Sequence, residues 1–421
     1  MRKFQLKNKK VAVLGLGISG FATAKFLLRQ GADVFVSDSE KTPSLNEKVS
    51  VLLNRGAEVK LGRHDLDRMM KSDLIVVSPG IPLNHEVVVR AQKKAVPITT
   101  EMELAISRIT NETVAVTGTN GKSTVTTMIR HVLNGCGFKA VSCGNIGNPV
   151  IDELENLKRD TVVVMEMSSF QLSRLSEFQP KAAVLLNITP DHLEWHGSLE
   201  AYADAKWSIF ESQRPGQSAV INEELKSEAE RRKIASKLLY FSNTNGNPNK
   251  SAAVEAAKAF GIRPAEALAR LETYKPLEHR MEMVAEFEGR SIINDSKSTN
   301  VDSLVWALNR LENSIVLIAG GRSKDAPLES IADLVEKKVS SLITIGEQRE
   351  HLLNIWKGIP QREVADSMKV AVARALEIAP RGSTILLSPA CKSFDMFKDY
   401  EDRGRIFKKC VHELIGAGAH V

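Results

Sequence analysis

Two glycine-rich segments of this sequence have the composition of phosphate-binding loops, and about a hundred residues separate them. The second one, GTNGKST, follows an apolar run and is two residues short of the general G-x-x-x-x-G-K loop, which would need glycine where Val116 stands. Its glycines leave backbone N–H groups open to a phosphate, its lysine offers a positive charge to β- and γ-phosphates, and its hydroxyls can bind Mg²⁺. We therefore predict a magnesium–triphosphate site rather than an ordinary turn before a helix. The segment consists of Gly118, Thr119, Asn120, Gly121, Lys122, Ser123 and Thr124.

Residues that could hold the metal lie at or beyond the ends of later apolar runs. Glu166 ends TVVVME, and Asp191 with His192 follows AAVLLNITP. Ligands collect at the carboxyl ends of parallel strands, and a glutamate inside an apolar run is costly unless it is paired or metal-bound. Lys206 lies on the helical stretch LEAYADAKWSIF. Without the neighbouring loop, these residues would be interpreted as a salt-bridged carboxylate, loop residues and a solvated lysine.

The first glycine-rich segment, VAVLGLGISG, fits the G-x-G-x-x-G pattern of dinucleotide-binding proteins. Gly15, Gly17 and Gly20 follow a strand-like run, and Asp38 ends the next such run about 20 residues later. The glycines allow backbone N–H groups to approach a pyrophosphate at a helix N-terminus. The pattern suits NAD, another nucleotide or a simple tight turn, and a dehydrogenase is the alternative function that it leaves open.

Composition limits the class of protein. With 421 residues, 43% hydrophobic and 26% charged, the chain should form two to four globular domains. No stretch reaches the roughly 20 apolar residues of a membrane span, and the N-terminus does not resemble a secretion signal. Four cysteines without a CxxC spacing indicate a reducing compartment, and a net charge of +6 does not demand nucleic acid. We expect a cytoplasmic protein with neither membrane insertion nor a nucleic-acid partner.

Strand-like and helical runs alternate along the chain, which predicts an α/β fold built on parallel sheets. New series of apolar runs begin near Thr113 and Ser291. We therefore expect three domains in series, Rossmann-like at 1–100, P-loop ATPase-like at 101–275 and Rossmann-like at 276–421. Residues 242–250 are rich in Asn and Gly, which predicts a loop.

Several motifs together resemble the Mur ligase family over nearly the whole chain. They are GTNGKST, GNIGNP, EMSSFQL, NITPDHLEWHGSLEAYADAKWSIF, HRME, INDSKSTN and SPACKSFDMFKDYEDRG. The last motif is similar to that of members adding D-glutamate to UDP-N-acetylmuramoyl-L-alanine. The resemblance implies an ATP-dependent amide ligase that forms an acyl phosphate during peptidoglycan precursor synthesis, and hence acts in cell wall formation and cell division. Other Mur-type or folylpolyglutamate-type ligases, and a nucleotide-binding regulator without turnover, are the alternatives.

The resemblance also implies nucleotide and metal contacts. In this family the first loop holds the UDP pyrophosphate and the second holds ATP, with Lys122 on the β- and γ-phosphates. A CO₂ carbamate on Lys206 would turn that cation into a carboxylate-like metal ligand. Asn145 of GNIG matches a residue at the acyl-phosphate site. Two Mg²⁺ ions are implied, one on Ser123 and Glu166 and a second on His192 and Lys206. The matching ATP contacts outside the loop are Asn249, Arg280, Asp295 and Lys297.

The resemblance also implies separate contacts for the two substrates, and we expect a monomeric enzyme. The contacts implied for UDP-N-acetylmuramoyl-L-alanine are Ile18, Ser19, Asp38, Ser39, Ser78, Asn145, Gln171 and His192. Those implied for D-glutamate are Thr299, Lys324, Ser393, Phe394 and Tyr400, of which Lys324 can pair with an acceptor carboxylate.

The sequence departs from the family pattern in two regions. Glu40 stands where a basic residue can occur, beside the expected diphosphate site. The segment near 225–248 is shorter than usual, and Gly246 occupies the earlier place of an expected Asn-x-x-Asn pair that Asn249 completes. The contacts to adenine and the edge of the central sheet are therefore the parts expected to differ from the family.

Overall fold

The structure is a computed structural model that describes residues 4–82, 84–242, 246–322 and 328–418. Its contacts divide the chain into two compact units, with the division between Tyr274 and Lys275. Three sheets, with helices packed around them, occur in the described residues. This arrangement confirms the predicted α/β class. Every helix in the described ranges is too short or too polar to cross a lipid bilayer.

The first sheet is an all-parallel, five-stranded sheet in the first unit. Its strands are β1 (Lys10–Leu14), β2 (Asp33–Asp38), β3 (Glu58–Leu61), β4 (Leu74–Val77) and β5 (Ile98–Thr100). Its helices are α1 (Ile18–Arg29), α2 (Pro43–Leu53), α3 (Leu66–Met69), α4 (Glu86–Lys93) and α5 (Glu101–Ile106). The strand order β3-β2-β1-β4-β5 is that of a doubly wound nucleotide-binding sheet, which places the β1–α1 turn beside the point where the order reverses.

The second sheet also belongs to the first unit and has six parallel strands in the order β11-β10-β9-β6-β8-β7. These strands are β6 (Thr113–Thr117), β7 (Lys139–Gly144), β8 (Thr161–Glu166), β9 (Ala182–Leu185), β10 (Ser218–Asn222) and β11 (Lys237–Phe241). The helices are α6 (Lys122–Gly135), α7 (Val150–Glu153), α8 (Ser169–Leu172), α9 (Leu193–His196), α10 (Leu199–Trp207), α11 (Lys226–Arg231), α12 (Pro248–Ala257) and α13 (Pro264–Leu271). Strands β6, β8 and β9 are buried along their whole length, so their carboxyl ends are fixed rigidly.

The first two sheets share one hydrophobic core. Buried side chains of β1 and β2, of α5 and of β8 and β9 belong to a single continuous cluster. Helix α5 lies between the sheets, with Met102 and Leu104 fully buried, and packs against α7. Ion pairs from Lys25 to Asp152 and from Arg29 to Glu155 border this contact. Residues 4–274 therefore form one packed body that carries two sheets.

The second unit contains the third sheet, a six-stranded sheet with one antiparallel edge strand. Its strands are β12 (Glu282–Phe287), β13 (Arg290–Asn294), β14 (Ile315–Gly320), β15 (Val339–Ile345), β16 (Gln361–Val364) and β17 (Thr384–Leu387), in the order β12-β13-β17-β14-β15-β16. Its helices are α14 (Val301–Arg310), α15 (Ala332–Lys338), α16 (Arg349–Ile355), α17 (Met368–Ile378) and α18 (Tyr400–Gly418). Short 3₁₀ turns elsewhere in the chain span Ser208–Phe210, Glu223–Leu225, Lys258–Phe260 and Leu328–Ile331.

One predicted loop is shorter in the structure. Residues 242–250 were expected to be irregular, but α12 begins at Pro248. The Asn247 side chain accepts hydrogen bonds from the backbone N–H groups of Asn249 and Lys250, so it caps this helix. The prediction was wrong for the last residues because proline is well suited to the first turn of a helix behind an asparagine cap. Residues 243–245 of this segment lie outside the described ranges.

Candidate active site

The second glycine-rich segment forms the turn from β6 to α6, and glycine is required at two of its positions. Gly118 has φ +154° and Gly121 has φ +85°, which L side chains rarely adopt. A Cβ atom on Gly118 would lie only 2.9 Å from Cβ of Leu186. Ser123 is buried in the first turn of α6, as a hydroxyl ligand at a helix N-terminus should be. The local geometry thus agrees with a phosphate-binding turn.

Asparagine side chains hold this turn in place. The side-chain oxygen of Asn187 accepts a hydrogen bond from the Asn120 N–H at 2.8 Å, and its amide donates to the Asn120 carbonyl at 3.1 Å. The Asn249 side chain lies beside Gly121, because a Cβ atom there would be 2.8 Å from Asn249 Oδ1. The structure therefore brings Asn249, a predicted nucleotide contact, to the loop. Sequence reasoning missed Asn187, whose only signal was its place just after β9.

Two lysines converge on one carbonyl group of the turn. Lys122 Nζ donates to the carbonyl oxygens of Gly118 and Thr119 at 2.8 Å each, and Lys206 Nζ donates to the same Gly118 oxygen at 2.8 Å. Lys206 is only 1% exposed, and its ammonium lies 4.5 Å from the centre of the Tyr202 ring. Burial lowers the pKa of Lys206 well below its usual value, and the positive charge of Lys122 lowers it further. The site thus holds an amine that loses its proton readily.

Glu166 ends β8 with one carboxylate oxygen satisfied and the other without a partner. Its Oε1 accepts a hydrogen bond from the Asn145 side chain at 2.8 Å, while the buried Oε2 has no hydrogen-bond partner. The β7 end approaches closely, since a Cβ on Gly144 would lie 2.4 Å from the Glu166 carbonyl oxygen. A buried, unpaired carboxylate oxygen is costly, and a divalent cation would satisfy it. The residues present therefore fit a Mg²⁺ site.

Asp191 and His192 complete this site from the segment after β9. His192 adopts φ +56° and packs against the Phe170 ring at a centroid distance of 4.7 Å. Its Nε2 lies 3.7 Å from the Asp191 carboxylate. The carboxylates of Asp191 and Glu166 are close enough to oppose the lowering of the Lys206 pKa. The structure thus brings the predicted catalytic residues of the first unit together at the carboxyl edge of the second sheet.

A ring cluster that sequence reasoning missed surrounds His192. His196 stacks on Phe170 at 5.6 Å with the planes 7° apart, and its Nε2 lies 2.9 Å from Ser169 Oγ. Burial lowers the pKa of His196 to about 4, and the nearby His192 and Lys206 contribute in the same direction. A neutral His196 therefore packs as a ring that supports its neighbours. Its sequence signal was weak, because aromatic residues at this spacing are usually core.

The first glycine-rich segment forms the β1–α1 turn, where a carboxylate accepts hydrogen bonds from backbone N–H groups. Asp38 accepts hydrogen bonds from the N–H groups of Leu16 at 2.6 Å and Glu40 at 2.8 Å. A Cβ on Gly20 would lie 1.9 Å from the Gly15 carbonyl oxygen, so this position requires glycine. The predicted substrate contacts of this region, all located around the carboxyl edge of the first sheet, are Ile18, Ser19, Asp38, Ser39 and Ser78.

Gln171 lies on α8 and is 4% exposed. Its side-chain oxygen accepts a hydrogen bond from the Ser168 N–H at 2.9 Å, and its own backbone N–H donates to the Ser168 hydroxyl oxygen at 3.3 Å, so the two residues form a capping box. The carbonyl half of this predicted substrate contact is therefore engaged in holding the helix start.

The second unit supplies the remaining predicted nucleotide contacts. Asp295 is 1% exposed and accepts hydrogen bonds from the Ser388 hydroxyl at 3.0 Å and the Met281 N–H at 3.2 Å. Burial raises the pKa of Asp295 to about 6, although the positive charge of Arg280 opposes this shift. Lys297 Nζ lies 5.3 Å from the centre of the Tyr400 ring. Arg280, Asp295, Lys297 and Tyr400 are thus neighbours within this unit.

The residues predicted for D-glutamate differ in exposure. Phe394 is 59% exposed and Ser393 is 2% exposed, on the loop before α18. The buried Arg403 holds this loop to the Asp295–Thr299 segment, since its guanidinium donates to the Cys391 carbonyl at 3.1 Å and the Ser296 carbonyl at 2.8 Å. Thr299 ends that segment, and Lys324 lies outside the described residues. The exposed Phe394 is not a core residue.

Chemically, the first unit offers a turn for phosphates with Lys122 and Lys206 on its Gly118 carbonyl and the carboxylates of Glu166 and Asp191 close to Lys206. Such a set can neutralise anions and hold a divalent cation at the mouth of a parallel sheet.

Comparison with known protein families gives three matches. The MurD-like N-terminal domain of Mur ligases matches residues 9–100, the Mur ligase middle domain matches residues 116–287, and the glutamate ligase domain of Mur ligases matches residues 279–391.

Curated relatives match over nearly their full length. The chain is 37% identical over 451 aligned positions to the UDP-N-acetylmuramoylalanine--D-glutamate ligase of Geotalea uraniireducens (98% of this chain, 100% of that protein). It is 38% identical over 446 positions to the protein of the same name from Pelotomaculum thermopropionicum (97% and 98%). Both alignments exceed 421 positions, so these relatives carry residues that this chain lacks.

Among solved structures, MurF ligase from Thermotoga maritima in complex with ADP superposes with a TM-score of 0.60 at 14% identity. The match covers 98% of this chain and 96% of that one, and it shows a shared three-domain architecture.

Proposed function

The chain is a member of the Mur ligase family, and we propose that it is the ATP-dependent ligase that joins D-glutamate to UDP-N-acetylmuramoyl-L-alanine in peptidoglycan precursor synthesis. The curated relatives named for this reaction support the substrate assignment. The observation that carries the chemistry is the convergence of Lys122 and Lys206 on the Gly118 carbonyl, beside a carboxylate oxygen of Glu166 that lacks a partner.

The reaction proposed has two steps. The carboxylate of the L-alanyl group attacks the γ-phosphorus of ATP, which forms an acyl phosphate and releases ADP. The amine of D-glutamate then attacks the acyl carbon, and the tetrahedral intermediate expels phosphate as the amide forms. Activation is needed because a carboxylate would otherwise have to expel oxide.

Lys122 counters the main barrier to the first step, the repulsion between a carboxylate and a triphosphate. Lys122 lies across the turn, where it can neutralise the β- and γ-phosphates. Asn145 lies beside Glu166 and can donate a hydrogen bond to the acyl phosphate. Positive charge placed in a poorly hydrated site acts more strongly than it would in water.

Two metal ions are part of the proposal. Ser123 and Glu166 would hold one Mg²⁺, and His192 and Lys206 would hold the second. When bound, the ions supply charge neutralisation to the phosphate oxygens. The unpartnered Glu166 oxygen supports the first assignment. The lowered pKa of Lys206 supports carbamylation, since only a neutral amine attacks CO₂.

We propose three domains with limits of 1–100, 101–275 and 276–421, and we assign the remaining substrate and ATP contacts to them. The first would bind the UDP part of the substrate, with Gln171 and His192 of the second at the muramoyl-peptide end. ATP would contact residues 118–124 and Asn249, Arg280, Asp295 and Lys297. D-glutamate would bind Thr299, Lys324, Ser393, Phe394 and Tyr400. We also propose a monomer in the cytoplasm, and sedimentation velocity tests the oligomeric state.

An acceptor panel tests the function. Phosphate release is measured with ATP, UDP-N-acetylmuramoyl-L-alanine and either D-glutamate, L-glutamate, L-lysine or diaminopimelate. We expect D-glutamate alone to support rapid release. Preference for another amino acid would reassign the chain within the family, and saturable binding of NADH by fluorescence titration would favour the dehydrogenase alternative.

A further inference from the structure

Arg174, two residues beyond α8, has a guanidinium group that is only partly satisfied. Its Nη2 donates to the Ile81 carbonyl oxygen at 2.5 Å. Nε and Nη1 are shielded from solvent and have no hydrogen-bond partner. Buried donors without acceptors are costly and rare in native proteins, so a group that has two of them calls for a functional explanation.

The charge of Arg174 also lacks a counter-ion. Within the described ranges no carboxylate forms an ion pair with it, and burial is the cause that lowers its pKa. Arginine remains protonated even so. A guanidinium with two shielded donors and no carboxylate partner is suited to an anion that the protein does not itself contain.

A chain of contacts leads from Arg174 to the first glycine-rich turn. The Ile81 N–H donates to the Ser78 carbonyl at 3.1 Å, and the Ser78 hydroxyl lies 3.4 Å from the Gly15 carbonyl oxygen. A Cβ on Gly15 would lie 3.4 Å from Ile81 Cδ1. Arg174 belongs to a connection of the second sheet, yet it contacts residues 78–81, which form one wall of the first turn.

The other wall of that turn is acidic. Asp38 and Glu40 both lie at the carboxyl end of β2, where a bound diphosphate would meet their negative charge. A fixed cation on the opposite side would offset this repulsion.

We propose that Arg174 is a positioning residue for the diphosphate of the UDP-linked substrate, an inference that rests on the proposed function. It fixes the Ser78–Ile81 wall of the first turn from the neighbouring sheet and contributes positive charge to the anion held there.

Binding of UDP, measured by calorimetry, tests this proposal without requiring turnover. R174M removes the charge and the donors at similar length, R174K keeps the charge with one donor centre, and R159M removes the charge of an exposed arginine in the same unit as a control. We expect the UDP Kd to rise about tenfold or more in R174M, less in R174K, and not in R159M. Raising the salt concentration should weaken UDP binding by the wild type more than by R174M.

Steady-state kinetics separate a positioning role from a general loss of structure. We expect R174M to raise KM for UDP-N-acetylmuramoyl-L-alanine by a similar factor, with KM for ATP, KM for D-glutamate and kcat within about twofold. An unchanged UDP Kd in R174M would overturn the proposal. So would an equal weakening of ATP and UDP binding together with a lower Tm.

The proposed function can fail separately. If the wild type binds UDP but ligates none of the amino acids in the panel, the function is wrong, while the comparison of UDP affinity between the wild type and R174M still decides the role of Arg174. A wild type that binds no UDP would overturn both.

Discussion

The first and second glycine-rich turns each join a parallel strand to a helix, but different charged side chains contact them. At the first, the Asp38 carboxylate accepts backbone N–H groups, Glu40 lies beside it, and Arg174 reaches the opposite wall only through Ile81. At the second, Lys122 and Lys206 donate to the turn itself. Both turns follow a parallel strand and precede a helix, so the difference lies in the side chains that neighbouring strands place around them.

This difference distinguishes a turn that binds a phosphate from a turn at which a phosphoryl group is transferred. A turn that only anchors a nucleotide needs a close backbone and shape, whereas phosphoryl transfer needs mobile negative charge to be countered as it moves. We therefore propose that the reaction takes place beside Gly118, where Lys122 lies, and that the first turn is a recognition site.

Removing Lys206 should have the largest effect. A small effect would contradict the distinction between the two turns. We expect K206A to reduce ligation at least about a thousandfold, because the site loses the proposed carbamate ligand of the second metal ion. High bicarbonate should not restore activity. Phosphate release is the measurement, with the exposed K237A as control. Near-normal turnover of K206A would remove the carbamate proposal.

Adding a methyl group to either turn should weaken the binding of a different ligand in each case. Gly20→Ala would place Cβ 1.9 Å from the Gly15 carbonyl, and Gly118→Ala would place it 2.9 Å from Leu186 Cβ. We expect G20A to raise the Kd for UDP and G118A to raise the Kd for ATP, each by about tenfold or more, with the other ligand affected much less. Calorimetry checks this, and G416A, which has open space, is the control. Parallel losses for both ligands in either variant would contradict separate roles.

Changing Asp38 should have a smaller effect, limited to the first turn. In D38N one oxygen that accepts a backbone N–H becomes an amide donor, so the Leu16 or Glu40 N–H loses its partner. We expect the Kd for UDP to rise about fivefold with the ATP affinity unchanged. D33N, at the exposed start of the same strand, is the matched control. Equal UDP binding by D38N and wild type would mean that the carboxylate does not shape this turn.

The smallest effect on activity should come from changing Glu101. This residue begins α5, between the first two sheets, and it affects the free energy of unfolding. Burial raises the pKa of Glu101 to about 7 from its ordinary 4.5, and Asp152 adds to this shift. Between these values the unfolded state releases its proton first, so the stability of the wild type falls as pH rises and the loss is complete above pH 7. E101Q can still accept the Ile151 N–H but carries no charge.

We therefore expect E101Q to be more stable than wild type at pH 8.5, by at most about 3 kcal/mol. The difference should shrink toward zero as pH falls below 4.5. Urea unfolding at both pH values measures it, with the exposed E47Q as control. A gain that is independent of pH would show that the pKa of Glu101 is the same in the folded and the unfolded protein.

The sequence predicted residues at the ends of strands better than residues whose role depends on a partner distant in the chain. Glu166 and Asp191 could be placed because the carboxyl ends of parallel strands meet at one edge, so their positions along the chain sufficed. Asn187 and Arg174 could not be assigned, since their partners, Asn120 and Ile81, are distant in sequence. Their side chains alone also fit a turn or a solvated surface.

The same limit applies to the fold. The alternation of apolar runs predicted the sheets, and the prediction was confirmed. Strand β12 was missed. Its sequence, EMVAEF, mixes exposed and half-buried residues because it is an edge strand. It therefore lacks the continuous apolar run that marks a central parallel strand. The shared core was missed too, since Met102 and Leu104 look like residues of any amphipathic helix until their neighbours are known.

That shared core restricts how this chain can be recombined. A chimera that takes its first sheet from a relative and joins it at residue 100 would leave α5 facing foreign side chains, although its contacts to Ile151 and Ser176 of the second sheet's connections would remain. Successful grafts should instead carry α5 and α7 together with the incoming sheet, and natural exchange of the first sheet should be subject to the same requirement.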